Sequence, residues 1–325
     1  MPLQSPDSPR KNRLRSALAG LAVASAVVTG GATAAQAAVA VPTAPGVPAA
    51  PAGTEVPAVP AVPAAPAASV ADDNAPAVLG RAAYLLDVST GKVRFAKQAD
   101  VRMPVASLTK LMTAYTALAQ AKPGDMVTVT AEDVRYASRG GAAVANLRAG
   151  DRFTVEEMLY ALLLPSGADA AHALARTYGP GVEGFVGEMN ATARRLGMRD
   201  TLYVNADGMP YGGGGYSTAR DQTLLTEAVL RNPTLRKVTS TRYRSLPATD
   251  EHRAYTWRNT NRLLGTAGAI GAKTGFTRAA GYTLAFAAEV NGHRLVGVLL
   301  GETSSSRRFD TAAALLDWAA THPAR

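Results

Sequence analysis

Strand-like segments stand at both ends of a helix-rich stretch, and that arrangement restricts the folds open to this chain more than any other feature. Residues 81–88 and 93–95 flank Ser89-Thr90-Gly91-Lys92, a tight turn. Residues 280–290 and 294–300 flank Asn291-Gly292, a strong hairpin signal. Between these ends, residues 107–119 are apolar at helical spacing. Thr154-Val155-Glu156-Glu157 reads as a capping box before 158–164, and Thr218-Ala219-Arg220-Asp221 as a similar start before 224–230. A last helical pattern covers 305–320. Strands first and last with helices between predict an α+β fold. Both chain ends would join one antiparallel sheet flanked by helices, with a helical lobe inserted.

The first 78 residues cannot share in that fold. Pro42, Pro45, Pro48 and Pro51 recur every third residue, as do Pro57, Pro60, Pro63 and Pro66. Proline fixes φ and lacks an N–H, so this stretch builds neither helix nor sheet, and its period suits polyproline II. Residues 38–78 are therefore expected to be a disordered spacer that projects the following domain. Upstream, Arg10, Lys11, Arg13 and Arg15 precede an apolar run over 17–28, and Ala35-Gln36-Ala37 follows. This order is that of a secretory signal peptide. The apolar run is short of the ~20 residues a membrane span needs. The expectation is a signal peptide at 1–37, export to the cell wall or beyond, and one folded domain at 79–322.

Composition removes several chemistries. With no cysteine, the chain can have no disulfide framework, thiolate metal site or cysteine nucleophile. His172, His252, His293 and His322 form no metal-binding spacing, so neither metal nor cofactor is expected. The net charge of +9 comes without a dense Lys/Arg block, so nucleic acid is not an expected partner.

Three short segments carry a different chemistry. Ser107-Leu108-Thr109-Lys110 opens a helical segment, and positions three apart share a helix face. Lys110 can then reach the Ser107 hydroxyl and act as its base, if burial or a neighbouring cation keeps it neutral. A backbone N–H near the helix start favours a developing oxyanion. Pro165-Ser166-Gly167-Ala168 places a second serine between helices, where it could also be the cap of a helix from Asp169. Lys273-Thr274-Gly275 leads into the closing hairpin, where it could also be a surface strand end. SxxK, a second serine motif and KTG, in this order, mark penicillin-binding proteins and class A β-lactamases.

The chain resembles the low-molecular-weight D-alanyl-D-alanine carboxypeptidases, serine peptidase family S11. The resemblance includes Pro104-Val105-Ala106 before the SxxK, Leu196-Gly197-Met198, and Tyr216-Ser217-Thr218. It extends to Asn259-Thr260-Asn261-Arg262-Leu263-Leu264 and Ala280-Gly281-Tyr282, and so covers almost all of 80–320. It implies that Ser107 attacks the carbonyl between two D-alanines of a peptidoglycan stem peptide, while Lys110 takes its proton. Ser166 would relay a proton to the leaving D-alanine. Lys273 would supply positive potential, and Thr274 would bind the terminal carboxylate with Arg308 as helper. The N–H groups of Ser107 and Phe276, beside Gly275, would form the oxyanion hole. β-Lactams would be covalent inhibitors, and the protein is expected to be a monomeric, single-module member. One position departs from the pattern. The family's second motif usually reads Ser-x-Asn, and Ala168 stands in the third place. That departure keeps a weakly active or non-catalytic penicillin-binding protein as the alternative. A β-lactamase is a further alternative, but it lacks an evident water-activating glutamate. His172 is expected to pack or face solvent, and Trp257 and Trp318 to be anchors.

Overall fold

A computed structural model of the protein describes residues 74–322, apart from 212 and 267. The expected signal peptide, and the spacer as far as residue 73, lie outside the described residues. Packing begins at the end of the expected spacer. Val78 is buried, and Lys97 Nζ donates to the carbonyls of Val78 (2.7 Å) and Gly80 (2.8 Å).

Both chain ends enter one five-stranded antiparallel sheet. Its strands are β1 (Ala82–Asp87), β2 (Lys92–Lys97), β7 (Ala269–Thr277), β8 (Gly281–Val290) and β9 (His293–Glu302). They lie in the order β2-β1-β9-β8-β7, so the first strand pairs with the last. Asn291 and Gly292 turn β8 into β9 with φ of 51° and 79°, the left-handed pair that a two-residue hairpin needs. Every residue of β1 is buried, as a central strand covered on both faces requires.

Alternation along β1 assigns those faces. Ala83 and Leu85 pack with Phe286, Leu299, Leu315 and Trp318, the last two from helix α8 (Arg307–Thr321). Ala82, Tyr84 and Leu86 face the inserted helices. These are α1 (Thr109–Leu118), α2 (Ala131–Ala137), α3 (Val155–Leu163), α4 (Ala168–Tyr178), α5 (Gly181–Arg195), α6 (Ala219–Arg231) and α7 (Pro233–Ser240). Two small two-stranded sheets, β3 (Met126–Thr128) with β4 (Arg152–Thr154) and β5 (Tyr243–Leu246) with β6 (Tyr255–Arg258), complete the lobe. The capping box at α3 is present: Thr154 and Glu157 exchange backbone hydrogen bonds. α1 is the central helix, with eight of its ten residues buried, which takes Lys110 into the interior.

One local expectation is corrected, and one alternative reading falls away. Ser107 does not lie in the α-helix but in a 3-10 turn, Ala106–Leu108, ahead of α1. Ala106 has φ of 51°, a left-handed value that an α-helix cannot contain. Ser166 does not cap α4. Gly167 occupies that position without a side-chain cap, and Ser166 itself has φ of 73°.

Candidate active site

The SxxK segment and the KTG strand meet where the sheet abuts the lobe; the Ser166 turn is tied to the KTG strand through Thr260, which donates to the Leu164 carbonyl and meets Thr274. β7 is an edge strand, and the face it presents at Gly275 lies against the 3-10 turn that carries Ser107. Gly275 makes the approach possible. A Cβ there would lie 3.0 Å from Ser107 N, 3.1 Å from Val105 O and 2.4 Å from Thr283 Oγ1. Thr283 Oγ1 also donates to Val105 O (3.2 Å), which fastens β8 to the segment ahead of the serine.

Lys110 Nζ lies 3.2 Å from Ser107 Oγ and donates to the Asp207 carbonyl at 2.7 Å. Two partners suit a neutral amine, which has two N–H groups and a lone pair for the serine proton, better than an ammonium with three donors. Burial pushes the Lys110 amine below the ordinary lysine value, against the raising influence of the Asp207 and Asp169 carboxylates. Lys273, 1% exposed, donates to the Thr274 carbonyl at 3.0 Å. It is held well below the ordinary value, first by burial and then by the positive charge of Lys110 and Arg308. The surface-strand alternative for the KTG segment therefore fails at Lys273 and Thr274, both buried.

The other predicted residues have the following settings. Ser166 is buried, and its Oγ has no hydrogen-bond partner among the described residues, as befits a hydroxyl free to serve a substrate. Thr274 Oγ1 lies 2.6 Å from Thr260 Oγ1. Arg308, in the first turn of α8, donates to the Gly275 carbonyl at 2.9 Å and packs over Phe309 and Tyr282. Burial first, and then Arg262, lower its pKa to about 10. Phe276 is half exposed against Tyr282, with ring centroids 4.4 Å apart. Among the described residues, no cluster of His, Asp and Glu is placed to hold a metal ion.

A nucleophile with a buried amine beside it, backed by a second lysine on an edge strand, narrows the relatives this chain can have. The sequence profile of Peptidase S11, D-alanyl-D-alanine carboxypeptidase, matches residues 69–304. The chain belongs to the S11 D-alanyl-D-alanine carboxypeptidase family. It is 36% identical over 256 residues to a D-alanyl-D-alanine carboxypeptidase of Streptomyces sp. strain K15, covering 75% of this chain and 88% of that protein. It is 34% identical over 259 residues to the carboxypeptidase DacC of Escherichia coli K12, covering 75% of this chain and 62% of the longer relative. The crystal structure of the Streptomyces K15 DD-transpeptidase superposes with a TM-score of 0.72 at 36% identity, covering 75% of this chain and 98% of the other.

Seen as an S11 site, the departure at Ala168 is a buried one. Ala168 is fully enclosed at the first turn of α4, and its N–H donates to Ala143 O at 2.8 Å. Asp169 beside it accepts from the N–H groups of Ala145, Leu147 and Ala170 and so organises the loop ahead of it.

Sequence reasoning missed two contributors. Asp207 meets Lys110 through its backbone carbonyl, which no side-chain pattern reveals. Thr260 is quoted above only as part of a resembling segment, yet it reaches Thr274. His172 is buried, not solvent-facing, and lies 2.6 Å from Asp133 Oδ1. Burial opposes the Asp133 carboxylate, yet hydrogen bonds from His172, Arg176 and Thr130 hold its pKa at about 2. This network ties α4 to α2 behind the site. Trp257 and Trp318 are buried anchors.

Proposed function

We propose that this protein is exported and removes, or exchanges, the terminal D-alanine of peptidoglycan stem peptides through an acyl-enzyme on Ser107. The observation that carries the reading is the buried Lys110 amine, 3.2 Å from Ser107 Oγ and pushed by burial toward its neutral form. Ser107 Oγ attacks the carbonyl between the two D-alanines as its proton passes to Lys110. The tetrahedral oxyanion is received by the N–H groups of Ser107 and Phe276. Collapse breaks the C–N bond, and Ser166 passes a proton from Lys110 to the departing amine. Water then attacks the ester in hydrolysis, or an acceptor amine in transfer. The carboxylate of the last D-alanine sits against Thr274, with Arg308 behind the strand supplying positive charge and Lys273 held beside Thr274 by its carbonyl. β-Lactams enter as mimics that acylate Ser107 and leave slowly. Export rests on the charged, apolar and small-residue zones of residues 1–37, and residues 38–78 would be a spacer that projects the domain.

Labelling with a fluorescent penicillin tests this reading. Peptide mapping should place the adduct on Ser107, and Ser107→Ala should abolish it. Lys110→Ala should slow it by roughly a hundred- to ten-thousandfold, the usual worth of a general base. An adduct on another serine, or full-speed labelling of folded Lys110→Ala, would overturn the assignment.

A further inference from the structure

An open basin of about 790 Å³ adjoins the site, bounded by Pro165, Thr260 and Arg308 and running along β6 to Arg253. Sites that enclose a whole small-molecule ligand measure ~300–1,000 Å³, so one departing alanine would leave most of this space unfilled. The chain along its wall alternates strictly. Thr256, Arg258, Thr260 and Arg262 are exposed, while Tyr255, Trp257, Asn259 and Asn261 are buried. Arg258 ends β6, Thr260 lies at a bend and Arg262 opens a 3-10 turn, Arg262–Gly265. All three line the basin, and the Thr260 hydroxyl meets that of Thr274.

The basin's charge has one sign. Arg253, Arg258, Arg262 and Arg308 line it, and no Asp or Glu does. Some exposed arginines elsewhere pair with acids, as Arg102 does with Asp200, Arg152 with Glu251 and Arg236 with Glu289, while others such as Arg139, Arg148 and Arg278 have no ion pair among the described residues. Among the described residues, none of the four basin arginines has such a partner. Each lies over an aromatic ring instead: Arg253 over Tyr255 (4.7 Å), Arg258 over Tyr243 (5.6 Å), Arg262 over Phe309 (4.7 Å) and Arg308 over Phe309 (4.8 Å). Stacking engages the face of a guanidinium and leaves its N–H edge for a carboxylate. Arg253 donates to Asn146 O, and Arg308 to Gly275 O, Thr283 O and Ser305 Oγ, whereas Arg258 and Arg262 keep their donors open.

We propose that this basin is an anion subsite for the amine-side partner of the reaction, and that Arg258 and Arg262 bind carboxylates carried beyond the reacting group. The inference rests on the D,D-peptidase reading above. In hydrolysis the partner is the leaving residue. In transfer it is the acceptor, whose amine forms the new C–N bond as the Ser107 ester bond breaks and the amine's proton returns to Ser107 through Lys110. One step is the reverse of the other, so both partners occupy the same space.

The test uses the full chain and three neutral-capped peptides, diacetyl-Lys-D-Ala-D-X, with X as D-Ala, D-Glu or D-Gln. D-Glu and D-Gln are close in size and differ by one charge. A second arm adds free D-Glu or D-Gln as acceptor and compares the transfer products. The expected result is a preference for D-Glu over D-Gln of about three- to tenfold, as an exposed but charge-assisted contact gives, shrinking as salt is raised. The Arg258→Gln/Arg262→Gln double variant should bring the ratio to about one, and the corresponding double Lys variant should retain a preference. A preference in either arm that the double Gln variant loses supports the subsite, and the arm identifies which partner it serves. A ratio near one in both arms of the wild type, or a preference the double Gln variant keeps, overturns it. Turnover of the D-Ala peptide with a flat ratio defeats the subsite alone. No turnover of any peptide by folded protein defeats the peptidase reading and the subsite with it.

Discussion

Replacing Gly275 with alanine tests how closely the KTG strand must approach the nucleophile. The new Cβ would fall 2.4 Å from Thr283 Oγ1. Turning that hydroxyl away sacrifices its bond to Val105 O, a loss of about 1 kcal/mol. Contacts of 3.0 Å to Ser107 N and 3.1 Å to Val105 O remain, and these are backbone atoms that yield only if β7 and the 3-10 turn part by a few tenths of an ångström. Overpacking of this kind costs ~1–3 kcal/mol, which brings the total to about 2–4 kcal/mol. At ~2–4 °C per kcal/mol for a domain of this size, Gly275→Ala should melt roughly 5–15 °C lower. A misplacement near 1 Å can cost a hundredfold in rate, so a few tenths should slow penicillin acylation by about tenfold. The assay pairs the second-order acylation rate with thermal unfolding. Wild-type acylation together with a wild-type melting temperature would refute the packing argument.

Two further substitutions probe the polar groups. Asp207→Asn removes a negative charge that raises the Lys110 pKa but leaves the backbone carbonyl that Lys110 uses. Lys110 should then lose its proton at lower pH, so the acid limb of the acylation profile should move to lower pH; a limb that stays, or moves up, contradicts this. Ala168→Asn should supply contacts to Lys110 and to the substrate backbone worth ~1.5–3 kcal/mol, raising peptide turnover roughly ten- to hundredfold. Its packing cost should appear as a lower melting temperature, because Ala168 is fully buried. A folded variant of equal or lower activity would show that the polar network is completed another way.

Much of this arrangement was legible because it lies in side-chain patterns. The strand-like run of β1, the Asn291-Gly292 turn and the Thr154–Glu157 box are local rules that the tertiary structure leaves intact. The Ser107–Lys110 spacing survived for a different reason than the one used to read it. The pair meets although Ser107 sits in a 3-10 turn, since Ala106 takes a left-handed conformation that spacing cannot reveal. β5 and β6 were not legible: each spans only four residues, too short a run for alternation to stand out. Asp207 escaped because it serves Lys110 through a carbonyl that every residue possesses. Arg258 and Arg262 look like ordinary surface charge until the fold lines one basin with them and Thr260.

The most direct test of the central claim is release of D-alanine from diacetyl-Lys-D-Ala-D-Ala, followed alongside the intact mass of the protein. The wild-type chain should release D-alanine and carry a transient acyl adduct that maps to Ser107, while folded Ser107→Ala should show neither. Undiminished release by Ser107→Ala, or an adduct on any other residue, would contradict the assignment of Ser107 and Lys110 as nucleophile and base.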